Sequence, residues 1–186
     1  MKFHLTNGIR LGKNVNFNGI PIIYVIKNAS VVIGDKVWLN SNNSVYHINM
    51  HSPCKLIADR NGASIKIGNG SRIHGTCIHA YVNITIGKRC LIAANTQIID
   101  GSGHDLSMEN PSNRTNTIGS AKQITIGDDV WIGANTFVLP GTSIGNGSVI
   151  IAGSIVKGTF PKNSLIGGNP AKMLKKYSDE EINNVN

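Results

Sequence analysis

Aromatic residues make up only 5% of this 186-residue chain, and charged residues only 15%. Helix-rich enzymes of this size usually carry more Leu, Glu and Lys, so the composition argues against that class. No apolar run approaches the 18 or more residues of a membrane span, and the opening MKFHLTNGIRLGKN has no apolar core of the secretory type. A cytoplasmic protein without a membrane span is therefore expected. The three cysteines, Cys54, Cys77 and Cys90, are an odd number without metal-type spacing. Cys77 and Cys90 each stand four residues after an aliphatic repeat position, Ile73 and Ile86, which predicts buried packing groups. His47, His51 and Cys54 offer three ligand types without a fourth, and no metal is expected. The formal charge is +8, yet there is neither an aromatic–basic platform nor a recognition-helix pattern. Nucleic acid is not expected as a partner; phosphorylated cofactors or acidic acceptors explain the sign equally well.

What the chain has in quantity is glycine, with 21 copies, and a short repeat. In ITIGDDVWIGANTFVLPGTSIGNGSVIIAGSIVKG, residues 124–158, the aliphatics Ile126, Ile132, Val138, Ile144, Ile150 and Val156 fall six residues apart. Gly follows at 127, 133 and 145, and a small or β-branched residue stands at Val130, Thr136, Thr142, Ser148 and Ser154. One inward aliphatic per six residues cannot form a core alone, so the repeat must stack on copies of itself. A helix would show a period of 3.6 and a flat strand a period of 2. Three hexads per coil close a triangular prism of about 18 residues per turn. Glycine and asparagine suit its corners because both tolerate positive φ.

The register also locates an interruption. Ile126 and Ile144 are 18 residues apart, Ile67 and Ile86 are 19 apart, but Ile86 and Ile126 are 40 apart, 22 more than one coil. Counting one coil from Ile86 lands on His104, so a polar loop is predicted to leave there and return near Ile124. Such loops on regular scaffolds usually carry function. The segment from Val45 to Gly62 loses the pattern and predicts irregular corners or a bulge. Beyond Val156, turns are expected at Pro161 and Gly167–Pro170, then a short helix from Asp179, with Ser178 and Glu181 as a capping box, covering the end of the prism. The whole reads as a single domain over 1–186. The prism takes about 11–160, the loop about 104–123 and the C-terminal extension 161–186.

VWIGANTFVLPGTSIGNGSVIIAGSIVKGTFPKNSLIGGNPAK resembles the C-terminal half of hexapeptide-repeat acyltransferases, nearest to the maltose, galactoside and polysaccharide O-acetyltransferase branch. The match runs from Ile65 to Lys176 and extends weakly to Leu11; Ile151 departs from a common Gly and Gly158 from a common polar residue. The resemblance implies an all-β, left-handed parallel β-helix with the inserted loop and a short C-terminal helix. It also implies a homotrimer with active sites at subunit interfaces, and acetyl-CoA as co-substrate without a required metal.

Transfer of acetyl to a hydroxyl needs a base that takes the proton as oxygen attacks the thioester carbon. His104 is the candidate, because the register break falls on it and it matches the family's catalytic histidine. Asp100 and Asp105 flank it, either to orient the imidazole or as turn residues. The resemblance assigns the Ala134 N–H to the developing oxyanion, Trp131 to the wall of the cofactor groove, and Ala152, Lys157, Lys172 and Lys175 to the CoA path. His74, His79, Tyr81 and Asn83, in the preceding coil, are candidates for acceptor binding or plain surface polarity. The expected function is an O-acetyltransferase acting on a sugar or polysaccharide precursor. An N-acetyltransferase of an amino sugar or nucleotide-linked amino sugar is the alternative, and a non-catalytic assembly solenoid a second.

Overall fold

Residues with one inward aliphatic per hexad become short strands joined by corners, and the strands stack in register from coil to coil. The structure is a computed structural model describing residues 8–183; residues 1–7, part of the stretch read above for a secretory core, and 184–186 lie outside the described residues. The first coil is β1 (Ile9–Leu11), β2 (Asn16–Asn18) and β3 (Ile22–Val25). The second is β4 (Ser30–Ile33), β5 (Trp38–Asn40) and β6 (Lys55–Ala58), and the third is β7 (Ser64–Ile67), β8 (Arg72–His74) and β9 (Cys77–Ala80). The fourth holds β10 (Asn83–Ile86), β11 (Leu91–Ile92) and β12 (Gln97–Ile99), and the fifth β13 (Ile124–Ile126), β14 (Trp131–Ile132) and β15 (Phe137–Val138). The sixth is β16 (Ser143–Ile144), β17 (Val149–Ile150) and β18 (Ile155–Val156). Then follow β19 (Thr159–Phe160), β20 (Ser164–Gly168), β21 (Ala171–Lys176) and helix α1 (Asp179–Asn183).

Every third strand pairs in parallel, giving three sheets that form the faces of a left-handed parallel β-helix. Sheet A begins at β1, sheet B at β2 and sheet C at β3. Its core is three stacked inward rows: Ile67, Ile86, Ile126 and Ile144 on A; Leu39, Ile73, Ile92, Ile132, Ile150 and Ile166 on B; Leu56, Ile78, Ile98, Val138 and Val156 on C. Burying each such side chain stabilises the fold by about 1.5–3 kcal/mol. The small residues of the repeat fill the corners, and their hydroxyls find carbonyls. Ser71 donates to the Gly87 carbonyl at 2.8 Å, Thr142 to that of Leu139 at 2.7 Å and Ser154 to that of Ile151 at 2.6 Å. No hydroxyl in these positions is buried at the full cost of desolvation.

Between sheets A and B the corner residue Asn14, Lys36, Gly70, Arg89, Asp129, Gly147 or Asn163 adopts positive φ in each turn. A second ladder runs beside it: the Asp35 carboxylate accepts the Lys13 N–H, Asn69 that of Asp35, Asp128 that of Lys88 and Asn146 that of Asp128. The repeat's glycines sit where this ladder crosses the coil above. A Cβ at Gly127 would run into the Asn146 side chain and backbone.

Four sequence expectations need correction. Cys90 is buried as expected, but Cys77 is a half-buried outward residue of β9. One extra residue at the Gly75 corner puts Thr76 in the small slot instead. The stretch 45–62 is not irregular throughout, for it contains β6; the insertion is the loop 41–54 that precedes this strand. The long loop leaves earlier than His104. Its neck is an antiparallel bridge between Gly101 and Ala121, flanked by the Ser102 N–H to Ser120 carbonyl bond (3.2 Å) and the Lys122 N–H to Asp100 carbonyl bond (2.7 Å). The coil register therefore resumes at Lys122, and His104 lies on the loop itself. Finally, α1 has its capping box, with the Ser178 N–H donating to the Glu181 carboxylate and the Glu181 N–H to the Ser178 hydroxyl. However, it lies on the flank, tied by Asp179 to Lys162 and Asn163. The open edge of sheet B is covered by the antiparallel strand β21.

Gly127→Ala is expected to lower unfolding free energy in urea by about 1–3 kcal/mol, the usual cost of overpacking. Gly103→Ala, where an added Cβ meets nothing, should stay within about 0.5 kcal/mol of the original.

Candidate active site

Outward side chains of neighbouring strands line up along the prism axis. On sheet B the register places Trp38, Arg72, Leu91, Trp131 and Val149 in one row. A second row begins Asn40 and His74 and continues past the ends of the shorter strands through Ala93, Gly133 and Ile151. Small residues in the second row leave a groove of about 700 Å³ beside Leu91 and the half-exposed Trp131. Its other wall is Tyr46, His47 and Ile48 of the loop 41–54. That loop is clasped by Asn95, whose Oδ1 accepts the His51 N–H at 2.9 Å and whose Nδ2 donates to the Asn49 carbonyl at 2.8 Å. Asn95 itself has φ 62°, so it is a corner residue and a clamp besides.

Trp131, Ala134 and Ala152 all line this groove. The backbone N–H groups of Ala134 and Ala152 have no acceptor among the described residues, which suits a site that holds oxygen atoms. Lys172 and Lys175 lie on β21, where Lys175 faces Leu165 and so continues the Trp131 row. Lys175 is already paired with Glu181 at 2.9 Å and lies 4.2 Å from the Tyr177 ring centroid. Lys172 and Lys157 are exposed without ion-pair partners among the described residues, Lys157 following β18 on sheet C.

The four acceptor candidates do not form one set. His74 belongs to the groove on sheet B. His79 lies on sheet C, its Nε2 3.0 Å from Asp59, and its ring is tilted against Tyr81 with centroids 4.7 Å apart; Arg60 covers the same Tyr81 ring. Asn83, in sheet A, accepts the Ser64 hydroxyl. Nor does either flanking aspartate hold His104. The fully buried Asp100 carboxylate accepts the N–H groups of Tyr81, Val82 and Asn83 at 2.6–3.1 Å, bracing the corner beneath the loop neck. Asp105 accepts the Ser107 N–H in a local turn. The sequence suggested an orienting role because both are near His104 in the chain, but each carboxylate is engaged by backbone N–H groups elsewhere. His104 is exposed; among the described residues only its carbonyl is engaged, by the Ser102 hydroxyl, and it does not line the sheet B groove.

Arg72, Tyr46 and His47 are groove residues that the sequence reading missed. Tyr46 and His47 stand in an aperiodic loop and carry no signal. Arg72 did carry one: it is one coil above Leu91 and two above Trp131 in the same register. Among the described residues no group of three or more His, Cys, Asp or Glu is placed to hold a metal ion, and no helix is long and apolar enough to cross a membrane.

The repeat that builds this groove matches, over residues 123–157, the family described as the hexapeptide repeat of succinyl-transferase. The chain is similar to the hexapeptide-repeat acetyltransferases. It is 41% identical over 104 residues to WbbJ of Escherichia coli K12, provisionally named a lipopolysaccharide biosynthesis O-acetyl transferase, with 53% of each chain covered. It is 35% identical to the galactoside O-acetyltransferase of Escherichia coli K12 over 64% of this chain and 58% of that one. A hexapeptide-repeat acetyltransferase of Vibrio cholerae O1 biovar eltor, solved with acetyl coenzyme A, superposes with a TM-score of 0.57. It is 36% identical and covers 62% of this chain and 61% of its own. The hexapeptide-repeat chain thus spans a little over half the length of the curated relatives it matches.

Burial, then the Arg72 charge and His47, push the His74 pKa down to about 4 from an ordinary 6.5. An unfolded chain takes up this proton near pH 6.5 and the folded one only near pH 4, so acidification between these values favours unfolding. The contribution is complete above about pH 6.5 and is lost as pH falls. His74→Gln should therefore show a smaller drop in Tm between pH 7 and pH 5 than the parent; an equal drop removes His74 as the cause.

Proposed function

We propose that the chain is an acetyl-CoA-dependent O-acetyltransferase acting on a hydroxyl of a sugar or polysaccharide precursor, with His104 as general base. The observation that carries this reading is the groove on sheet B. It is apolar, edged by Trp131, floored by small residues and provided with the free N–H groups of Ala134 and Ala152. An extended pantetheine arm fits such a trough, and the basic residues Lys157, Lys172 and Lys175 lie toward the C-terminal end to meet phosphates. The similarity to WbbJ and galactoside O-acetyltransferase supports oxygen rather than nitrogen as the acceptor atom and a sugar as its bearer.

In the proposed reaction His104 takes the proton from the acceptor hydroxyl as its oxygen attacks the thioester carbonyl carbon. The Ala134 N–H donates to the oxygen that becomes negative, and collapse expels the thiolate, which takes the proton from His104. No covalent enzyme intermediate is needed.

A homotrimer with sites between subunits completes the proposal. Outward rows on sheet A are polar in most coils, with Arg10, Lys66, Thr85, Thr125, Ser143 and Thr159. Those on sheets B and C are far more apolar, and Ile22, Tyr24, Phe137, Leu91 and Trp131 are exposed in the single chain. Exposed apolar rows of this kind mark association surfaces. Assembly would also bring one subunit's His104 loop to another's groove, since within one chain the two are separate.

His104→Ala should slow thiol release from acetyl-CoA with mixed sugars by about 10²–10⁴-fold, the usual worth of a general base. Equal rates in the two proteins overturn the assignment. Products labelled with radioactive acetyl should lose the label to alkaline hydroxylamine, as oxygen esters do; resistant label would mean amide formation. Light scattering should give three times the chain mass, and a monomer would sink the shared site.

A further inference from the structure

At the N-terminal end of the groove, hydrogen-bond donors collect without a carboxylate beside them among the described residues. The exposed guanidinium of Arg72 lies 5.5 Å from the Trp38 ring centroid and has no ion-pair partner among the described residues. Beneath it, the Trp38 indole N–H is buried and unpaired. Beside both stands His74, stacked on Tyr46 with centroids 4.7 Å apart. Among the described residues no carboxylate lines the groove.

The proton position on His74 follows from its neighbours. Asn40 Oδ1 accepts from Asn18 Nδ2 at 3.0 Å and from the Asn42 N–H at 3.1 Å, which fixes the direction of the Asn40 amide. Its Nδ2 therefore points at His74 Nδ1, 3.3 Å away, and can only donate there. His74 Nδ1 is an acceptor, the ring is neutral and its proton is on Nε2. Burial and the nearby Arg72 charge hold the ring in that state at neutral pH. The side chain is thus a fixed donor, not a base.

We propose that this end of the groove is a subsite for an oxyanion, carboxylate or phosphate, borne by the acceptor substrate and bound by the Arg72 guanidinium and the His74 Nε2–H. This rests on the reading of Ala134 as donor to the reacting carbonyl. Given that reading, a length argument separates the acceptor from the acyl group. Arg72 and His74 are on β8, two strands from β14, which ends just before Ala134. Two strand spacings are about 10 Å. A four-carbon diacid on the thioester extends only about 5 Å from the carbonyl carbon at ~1.5 Å per bond. An acyl carboxylate falls short, whereas a charged substituent across an acceptor sugar reaches. CoA phosphates are met by the lysines at the opposite end. A pocket that meets an oxyanion with the Arg72 guanidinium and an N–H donor disfavours a neutral analogue because those donors are then left unpaired.

The test is calorimetry on the full chain without an acyl donor, using glucose 1-phosphate, glucuronate and glucose as probes. At least one charged sugar should bind about ten-fold or more tightly than glucose, which ion-supported hydrogen bonds of ~1.5–3 kcal/mol allow. Whichever of the two binds names the oxyanion. Arg72→Gln, at an exposed position, should erase the preference, and His74→Phe should reduce it several-fold while keeping the stack on Tyr46. Equal binding of charged and neutral sugars, or a preference that survives Arg72→Gln, overturns the subsite. So does an Arg72→Gln effect confined to acetyl-CoA or succinyl-CoA, since the donors would then serve the cofactor or the acyl chain. Binding is read here without catalysis, so absence of acetyl transfer would refute the proposed function and leave this result legible.

Discussion

Successive coils are held about 4.8 Å apart by parallel ladders, and everything else in the molecule obeys that spacing. At each corner one backbone must pass another at nearly van der Waals contact. Side chains are excluded at Gly34, Gly68, Gly87, Gly127 and Gly145, and the adjacent corner position must accept positive φ. Inside the prism the same spacing stacks like residues on like, so a row of isoleucines fills it at native density. The low content of charged and aromatic residues is a consequence: most positions are either inward and aliphatic or crowded at a corner.

The same geometry makes function one-dimensional. A groove on sheet B is simply a row where the outward residues are small, bounded by a row where they are large. Two devices break the repeat: the loop 41–54, which forms one wall of the groove, and the loop whose neck is Gly101–Ala121, which stands apart from the groove within one chain. Each is anchored by polar side chains in the coils, Asn95 for the first and Asp100 for the second. Asp100, close in sequence to the candidate base, contributes through the backbone it braces and not through the imidazole.

The prism was legible in the sequence because burial imposes a period, and the hexads of 124–158 have no alternative use for their aliphatics. Ile86 to Ile126 revealed the inserted loop, but counting whole coils placed its departure on His104. The neck is earlier, at Gly101, because a corner residue can leave the coil without disturbing the inward row. The same cause displaced Cys77 by one residue, through the extra residue at the Gly75 corner. At the site, Trp131, Ala134 and Ala152 were legible as part of a fixed motif. His74, His79, Tyr81 and Asn83 are close in sequence but fall on three different faces of the prism. Arg72 was recoverable from register alone; Tyr46 and His47 were not, since a loop without period leaves no trace of which face it crosses.

The neck at Gly101–Ala121 has one more implication. Because Asp100 and Lys122 are joined directly by a backbone hydrogen bond, the coils on either side meet as if the intervening residues were not there. Insertions, deletions or wholesale replacement between Ser102 and Ser120 leave the stacked rows untouched. The scaffold therefore keeps its register whatever the length of this segment, and the fold constrains the loop only at its two joined ends.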